Sequence, residues 1–424
     1  MSTTDTGGGR AAHSPSVGGL KGARLLLLCQ VLPHPPHSGA KLKTWNLVKW
    51  LGARCDVTLV AFSRGESAAD IDALRRHCRA VHTVPMVRGM VRDAWSLATS
   101  VWSGRPWIIE RDRRRAMHAM LRRLTREARF DVVHIDQLNM AQYAGYAAGA
   151  FTVLDAHNAL WLLARRLADH SRRGVRKLLL ARDAHRLRAY EGAIGRGVDA
   201  VLAVSDIDRR ALADVMGSKC PIAVVPIAVD AEEVTPLRRR ADTDRVVHIG
   251  TMFWPPNADA VRWFLEAVWP RIRAARPEAR FDVIGPRPPR ALRALATPAN
   301  GVRFAGYLAD PTGDLESAGA VVVPLLAGSG MRVKILTALA QALPVVTTTL
   351  GCEGIEVEAG RHLLIADGAD AFAAATLRVL ADRELADTLG RNGRRLVEQR
   401  YDYRHVLAAL EPIYARGAAA AGDS

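Results

Sequence analysis

Between Val321 and Gly354 the chain carries the pattern that most restricts its fold. Val321-Val322-Val323 is a short apolar run closed by Pro324, which reads as a buried parallel strand. Gly328-Ser329-Gly330 then lets the backbone approach a ligand closely, because glycine tolerates positive φ and has no side chain in the way. Arg332 and Lys334 stand at the start of the apolar-faced helix that follows. A helix N-terminus offers unpaired N–H groups and the positive end of the dipole, so two added cations make a site for a phosphate or diphosphate. Residues 345–349 form a second strand, ending in the loop Gly351-Cys352-Glu353-Gly354. This is one α/β crossover with ligand-type loops at both strand ends. The competing reading is an ordinary turn whose cations pair with Glu353 or Glu356. Arginine and lysine within one turn of a glycine loop favour the anion site.

The rest of the chain repeats this alternation. Strands are expected at 24–31, 56–62, 81–84, 131–135, 151–154, 199–204 and 222–225, and helices near 39–52, 67–78, 112–128, 138–148, 159–196 and 206–215. A second series has strands at 246–250, 280–284, 302–304 and 319–324, with helices at 257–275, 369–382, 383–399 and 402–416. The predicted fold class is α/β. Two Rossmann-like doubly wound units, residues 23–230 and 244–399, flank a linker at 231–243. Their ligands belong at the carboxyl ends of the strands, in the cleft between the units. Residues 1–22, rich in Gly, Ser and Thr, are expected to be disordered, and the tail from Gly417 loose. Neither first strand is followed by G-x-G-x-x-G, and there is no Walker A motif or G-x-S-x-G elbow. Dinucleotide binding and serine hydrolysis therefore fit poorly.

Composition narrows the setting. The cysteines, Cys29, Cys55, Cys78, Cys220 and Cys352, are scattered and lack metal-ligand spacing, so a reduced, cytoplasmic protein is expected. Leu25-Leu26-Leu27-Leu28 could imitate a signal peptide, but the run is short and Pro33, Pro35 and Pro36 follow, so it reads as a core strand. No segment approaches the length of a membrane span. The net charge of +16 suits phosphorylated substrates, anionic lipid or nucleic acid.

Several pieces of the chain, in order, resemble a known family. They are Ser38-Gly39 before a helix, Asp131-Val132-Val133-His134, Asp155-Ala156-His157-Asn158, Tyr190-Glu191 and Val204-Ser205-Asp206-Ile207-Asp208. Gly250-Thr251-Met252 with Pro256-Asn257, Phe304-Ala305-Gly306-Tyr307 and Gly328 through Lys334 continue the series. From about residue 24 to 415 the chain resembles the GT-B glycosyltransferases of family four, closest to polysaccharide and exopolysaccharide sugar transferases. The resemblance implies a UDP- or GDP-linked sugar donor in the C-terminal unit, a glycan or lipid-linked acceptor in the N-terminal unit, and retention of anomeric configuration. It also implies that residues 400–416 return as a helix to the N-terminal unit. No metal and no cofactor besides the donor are expected.

The donor site so implied comprises Gly39, Gly328, Ser329, Gly330, Thr337, Glu353 and Tyr307, with Arg332 and Lys334 stabilising the leaving phosphate. His157 ends a strand, and the resemblance places it beside the transferred sugar. Asp155 and Asn158 are candidates to orient it. His134 reads as packing, and Lys41 and Lys43 as solvated. One departure stands out: the paired glutamates common in the family are Ser329 and Thr337 here, which leaves Glu353 as the candidate ribose contact. The alternatives are a catalytically impaired assembly partner and a GT-B sugar-nucleotide epimerase. The arginine-rich stretch 159–196 and the cluster Arg113-Arg114-Arg115 suggest an anionic membrane surface, and no recognition motif points to nucleic acid.

Overall fold

The computed structural model describes residues 20–171, 174–217, 220–240 and 243–422. The expected disorder of residues 1–22 falls largely outside them, as do Arg172, Arg173 and the side chain of Arg176.

Two parallel sheets carry the architecture. The first contains β1 (Arg24–Cys29), β2 (Asp56–Ser63), β3 (Ala80–Pro85), β4 (Val132–Asp136), β5 (Phe151–Ala156), β6 (Ala200–Ala203) and β7 (Ile222–Val224), in the order β3-β2-β1-β4-β5-β6-β7. The second contains β8 (Arg245–Ile249), β9 (Arg280–Ile284), β10 (Val302–Gly306), β11 (Ala320–Val323), β12 (Val345–Thr347) and β13 (Leu364–Ile365), in the order β10-β9-β8-β11-β12-β13. Each order reverses beside its first strand, where β1 meets β4 and β8 meets β11. A crevice opens at such a switch point, beyond the carboxyl ends of the strands.

The apolar runs follow from burial on both faces. Along β1, Leu25, Leu27 and Cys29 enter one core while Leu26 and Leu28 enter the other. Along β11, Val321 and Val323 face one core, and Ala320 and Val322 the opposite one. A strand covered by helices on both sides needs hydrophobic residues at every position, so its sequence is continuous rather than alternating.

The structure differs from expectation in several places. The stretch 159–196 is two helices, Leu160–His170 and Val175–Gly195, broken around Gly174. Residues 138–146 form a 3-10 helix rather than an α-helix. Helices Met90–Ser103 and Trp107–Arg111 and the short edge strand β13 had no predicted counterpart. The tail is not loose at Gly417, because helix Glu411–Gly422 continues through it. Tyr403–Ala408 and that last helix pack on the first sheet, burying Val406, Leu407, Leu410 and Tyr414 beside Leu25, Leu27 and Val132. The two chain crossings between the units lie side by side: Val229 N–H donates to the Tyr401 carbonyl at 2.9 Å and Tyr403 N–H to Val229 at 3.0 Å.

Glu191 shows how a local end is held. The N-cap residue of helix Leu160–His170 is Ala159, whose side chain cannot cap. The buried Glu191 carboxyl accepts instead from the N–H groups of Leu160 at 2.8 Å and Trp161 at 3.0 Å. Burial pushes its pKa up to about 8 despite those donors. Glu191→Ala leaves both N–H groups without an acceptor and is expected to destabilise the protein by about 1–3 kcal/mol. Thermal denaturation checks this, and a Tm equal to the parent's would show that the capping contact contributes nothing.

Candidate active site

The carboxyl ends of both sheets line one cleft of about 660 Å³. From the first unit come Ser38, Gly39, His157 and Asn158; from the second come Gly250, Asn257, Tyr307, Gly328, Ser329, Arg332, Lys334 and Thr337. Of the sequence-derived candidates, Gly330 and Glu353 are not among the lining residues.

The two units meet at the glycine loop and the start of helix Gly39–Gly52. Ser38 caps this helix, its hydroxyl accepting from the Lys41 N–H at 3.5 Å. A Cβ on Gly39 would lie 2.7 Å from Val333 Cγ2, so only glycine lets the helix end reach the donor-side loop. Gly330, at φ 76°, sits against Asn158, where a Cβ would fall 1.9 Å from the amide oxygen. Helix Val333–Ala340 begins directly behind the loop.

Arg332 and Lys334 are half-buried in this cleft wall without a carboxylate partner. The Arg332 guanidinium donates to the carbonyls of Ser329 and Gly330, and its second terminal nitrogen is buried with no acceptor. Burial lowers its pKa, and Arg166 adds to this while Glu353 opposes it. Lys334 Nζ donates to Asn257 Oδ1 at 3.0 Å. Burial, then the repulsion of Arg332, pushes its pKa down to about 7. Neighbouring His248 is fully buried, its Nδ1 is 2.9 Å from the Val322 carbonyl, and burial followed by Lys334 keeps it neutral. The Ser329 hydroxyl is also buried and unpartnered. Two crowded cations, a free hydroxyl and a helix N-terminus form a cavity wall complementary to a polyanion.

Neither cation pairs with the acids that the bland sequence reading offered. Glu356 pairs with Arg400 at 2.5 Å. Glu353 pairs with Arg166 at 2.6 Å, and the same guanidinium nitrogen donates to the Gly328 carbonyl at 3.0 Å. Glu353 thus ties the second unit to helix Leu160–His170 of the first instead of lining the cleft. Tyr307 stands exposed at the mouth, edge-on to His37 with centroids 6.1 Å apart.

On the facing wall His157 is buried, with Nε2 2.9 Å from Asp136 Oδ1. Asp136, at the end of β4, also accepts from the Thr44 hydroxyl at 2.9 Å. Sequence reasoning singled out Asp155 and passed over Asp136. Asp155 instead takes the ammonium of Lys43, which is buried and not solvated as expected. Lys43 stands one turn after Gly39, on the face of its helix turned to the sheet. Burial would raise the Asp155 carboxyl, but Lys43, His134 and His157 outweigh it and hold it well below the usual carboxylate range. His134 is fully buried, its Nδ1 2.7 Å from the Tyr414 hydroxyl of the returning helix. Asp136, Asp155 and His157 offer ligand atoms within 4.8 Å of one another. The Lys43 ammonium already sits on Asp155, so a metal ion there would share a carboxylate with a buried cation. Asp136 could have been suspected from the sequence, since it ends the strand two residues beyond Asp131-Val132-Val133-His134, and Asn257 lies in the Pro256-Asn257 piece, in the first turn of helix Pro255–Trp263.

Comparisons with known proteins agree with this architecture. Residues 38–233 match the family described as Glycosyltransferase Family 4, and residues 243–382 match that described as Glycosyl transferases group 1. Among solved structures, the Anabaena protein HepE in complex with UDP and glucose superposes with a TM-score of 0.66 at 14% identity, covering 93% of this chain and 100% of its own. Sucrose-phosphate synthase of Thermosynechococcus elongatus gives 0.68 at 17% identity, covering 93% and 98%. A curated relative, an uncharacterized 44.6 kDa protein in the cps region of Klebsiella pneumoniae, is 21% identical over 180 residues. That match takes in 39% of this chain and spans 44% of the relative's length. Two facing parallel sheets, a glycine loop backed by paired cations and these matches to both halves together place the chain among the glycosyltransferases of family four, with the GT-B fold.

Proposed function

We propose that the protein transfers a hexose from a UDP- or GDP-linked donor to a glycan or lipid-linked acceptor in polysaccharide biosynthesis, with retention and without a metal ion. The observation that carries this reading is the pair Arg332 and Lys334, half-buried without carboxylate partners at the start of helix Val333–Ala340. When the sugar–phosphate bond breaks, charge grows on the leaving β-phosphate oxygen. Preorganised cations in a site closed to water stabilise that charge more than they stabilise the donor. Gly39 brings a second helix end toward the same place. Ser329 and Thr337 offer neutral hydrogen bonds where a charged contact would otherwise hold the ribose. His157, with Nε2 2.9 Å from Asp136 Oδ1, is set to bind a sugar hydroxyl or to align the acceptor. The UDP held by HepE supports a uridine donor, and the cps-region relative supports a polysaccharide product. Cytoplasmic placement follows from the donor, and no helix among the described residues is long and apolar enough to cross a membrane.

Titration calorimetry with UDP and GDP, followed by product formation on a lipid-linked acceptor, tests the reading. Binding of neither nucleotide would overturn it. A pH dependence follows as well. Below pH 7 Lys334 is charged in the free protein, and binding needs no proton. Above pH 7 the free amine is neutral, whereas a bound diphosphate favours the ammonium, so binding takes up a proton. Between pH 7 and 9 the UDP affinity is expected to fall by up to about tenfold per unit. A flat affinity across that range would remove Lys334 from the diphosphate.

A further inference from the structure

Helix Met90–Ser103 turns the wrong side to the protein. Val91, Trp95, Ala98 and Trp102 recur at helical spacing and form one apolar stripe, flanked by Met90, Leu97 and Val101. That stripe faces outward: Trp102 is 91% exposed, Met90 90%, Val91 87% and Trp95 73%. The buried side belongs to Ser96 and Ser100. The Ser96 hydroxyl donates to the Asp93 carbonyl at 2.8 Å and accepts from the Trp107 indole at 3.1 Å. The Ser100 hydroxyl donates to the Arg105 carbonyl at 2.7 Å, and Arg186 donates to the Ser100 carbonyl at 2.7 Å. The orientation is therefore fixed by directed hydrogen bonds. The helix that supplies Arg186 also presents exposed Leu178 and Leu179. Large apolar side chains exposed along one face of a helix on a folded unit mark an interaction site.

The charge around the stripe says what it fits. Arg92 is exposed on the same helix, and Arg113 and Arg115 are exposed nearby in sequence. Arg88 and Arg111 share the buried Asp112 carboxylate at 3.1 and 3.6 Å, and Gln30 and Asn139 also donate to it. Arg114 is held below its ordinary pKa by burial and then by Arg92, with Arg88 adding to the repulsion. Arg88, Arg92 and Arg114 thus lie close enough to repel one another beside the helix, with Asp112 and Asp93 as carboxylates of the cluster. Tryptophan and methionine beside arginine match the boundary of a bilayer, where indole rings sit among headgroups and guanidinium groups meet lipid phosphates. A symmetric second copy would set the arginine cluster against itself. The chain's own residues 1–19 hold only Met1 and Val17 as large aliphatics, which is poor cover for such a stripe.

We infer that helix Met90–Ser103 is an interfacial membrane-docking helix that seats the N-terminal unit on an anionic lipid surface. The helix begins just beyond the carboxyl end of β3, and the Asp112 cluster holds Gln30, which directly follows β1. Docking there turns the carboxyl edge of the first sheet, and with it the acceptor side of the cleft, toward the membrane. The arginine-rich stretch 159–196 is a weaker candidate for this contact. Its Arg166 points into the domain junction, Arg186 is committed to Ser100, and Arg188 pairs with Asp214 at 2.7 Å.

The test uses the full chain with vesicles of phosphatidylcholine alone or mixed with phosphatidylglycerol. The parent protein is expected to float with the mixed vesicles, and its tryptophan emission to be quenched by lipids brominated on their acyl chains. The double substitution Trp95→Ser and Trp102→Ser is expected to weaken vesicle binding at least about tenfold and to leave UDP binding unchanged. Quenching of the parent needs no substitution, so the inference stays testable if the variant folds poorly. It is overturned if the parent ignores anionic vesicles, if it binds neutral vesicles equally, or if the variant binds as the parent does. A parent dimer that the variant converts to monomer would instead make the stripe a self-interface and overturn it too. The inference stands apart from the donor reading, because UDP binding without vesicle binding would remove only the docking helix.

Discussion

Arg332→Ala and Lys334→Ala are each expected to cut turnover by about 10²–10³ and to weaken UDP binding by a smaller factor. The larger effect on turnover follows from timing. Donor and transition state both carry the diphosphate, but only the transition state develops an extra charge on the leaving oxygen. Each cation is half-buried and has no carboxylate partner, so its charge is available to that oxygen. The two side chains also repel one another across a shared wall, so the double variant should lose less than the product of the single losses. Steady-state kinetics with a competent acceptor, alongside UDP titration, measures both effects. Parental turnover in either variant with an intact circular dichroism spectrum would remove that residue from the phosphate site. Lys334→Arg is not a conservative exchange here. The ammonium fits beside Asn257 at 3.0 Å, with Gly250 and His248 packed close. A planar guanidinium needs more room and cannot shed its charge in the empty site.

The second large effect is expected on the opposite wall. His157→Ala should lower turnover about 10²-fold while leaving the Kd for UDP near the parent value, because the proposed role of the ring is toward the sugar and acceptor and not the diphosphate. Asp136→Asn should act through the same ring and cost roughly tenfold, since it keeps the shape but removes the negative charge 2.9 Å from the imidazole. The Thr44 hydroxyl bond to position 136 can survive the change, which makes the variant a test of orientation and not of folding. If His157→Ala loses UDP binding in proportion to turnover, the residue belongs to the donor site. If Asp136→Asn is silent, the 2.9 Å contact does not set the ring.

How much of this was readable beforehand depends on the distance over which each feature is encoded. The strands of both sheets were legible because a strand buried on both faces must be apolar at every step, which is a local property of four to eight residues. The glycine turn with its two cations was legible for the same reason, since all its parts lie within residues 328–334. The weaker edge strand Leu364–Ile365 was missed because two residues carry no period.

The sequence by itself determined the two-sheet architecture and the location of the paired cations, while the return of the last helix was implied by the family resemblance. Only the tertiary structure decided partnership. Lys43 meets Asp155 across 112 residues, Tyr414 meets His134 across 280, and Arg166 claims Glu353 across 187. Nothing local distinguishes the buried Lys43 from the more exposed Lys41 two positions earlier. Helix Met90–Ser103 makes the same point about faces. Its apolar residues recur at helical spacing, a signal the sequence reading passed over, and the directed hydrogen bonds of Ser96, Ser100, Trp107 and Arg186 turn its serines inward and its tryptophans out. Periodicity fixes which residues share a face, whereas long-range contacts fix which face meets the protein.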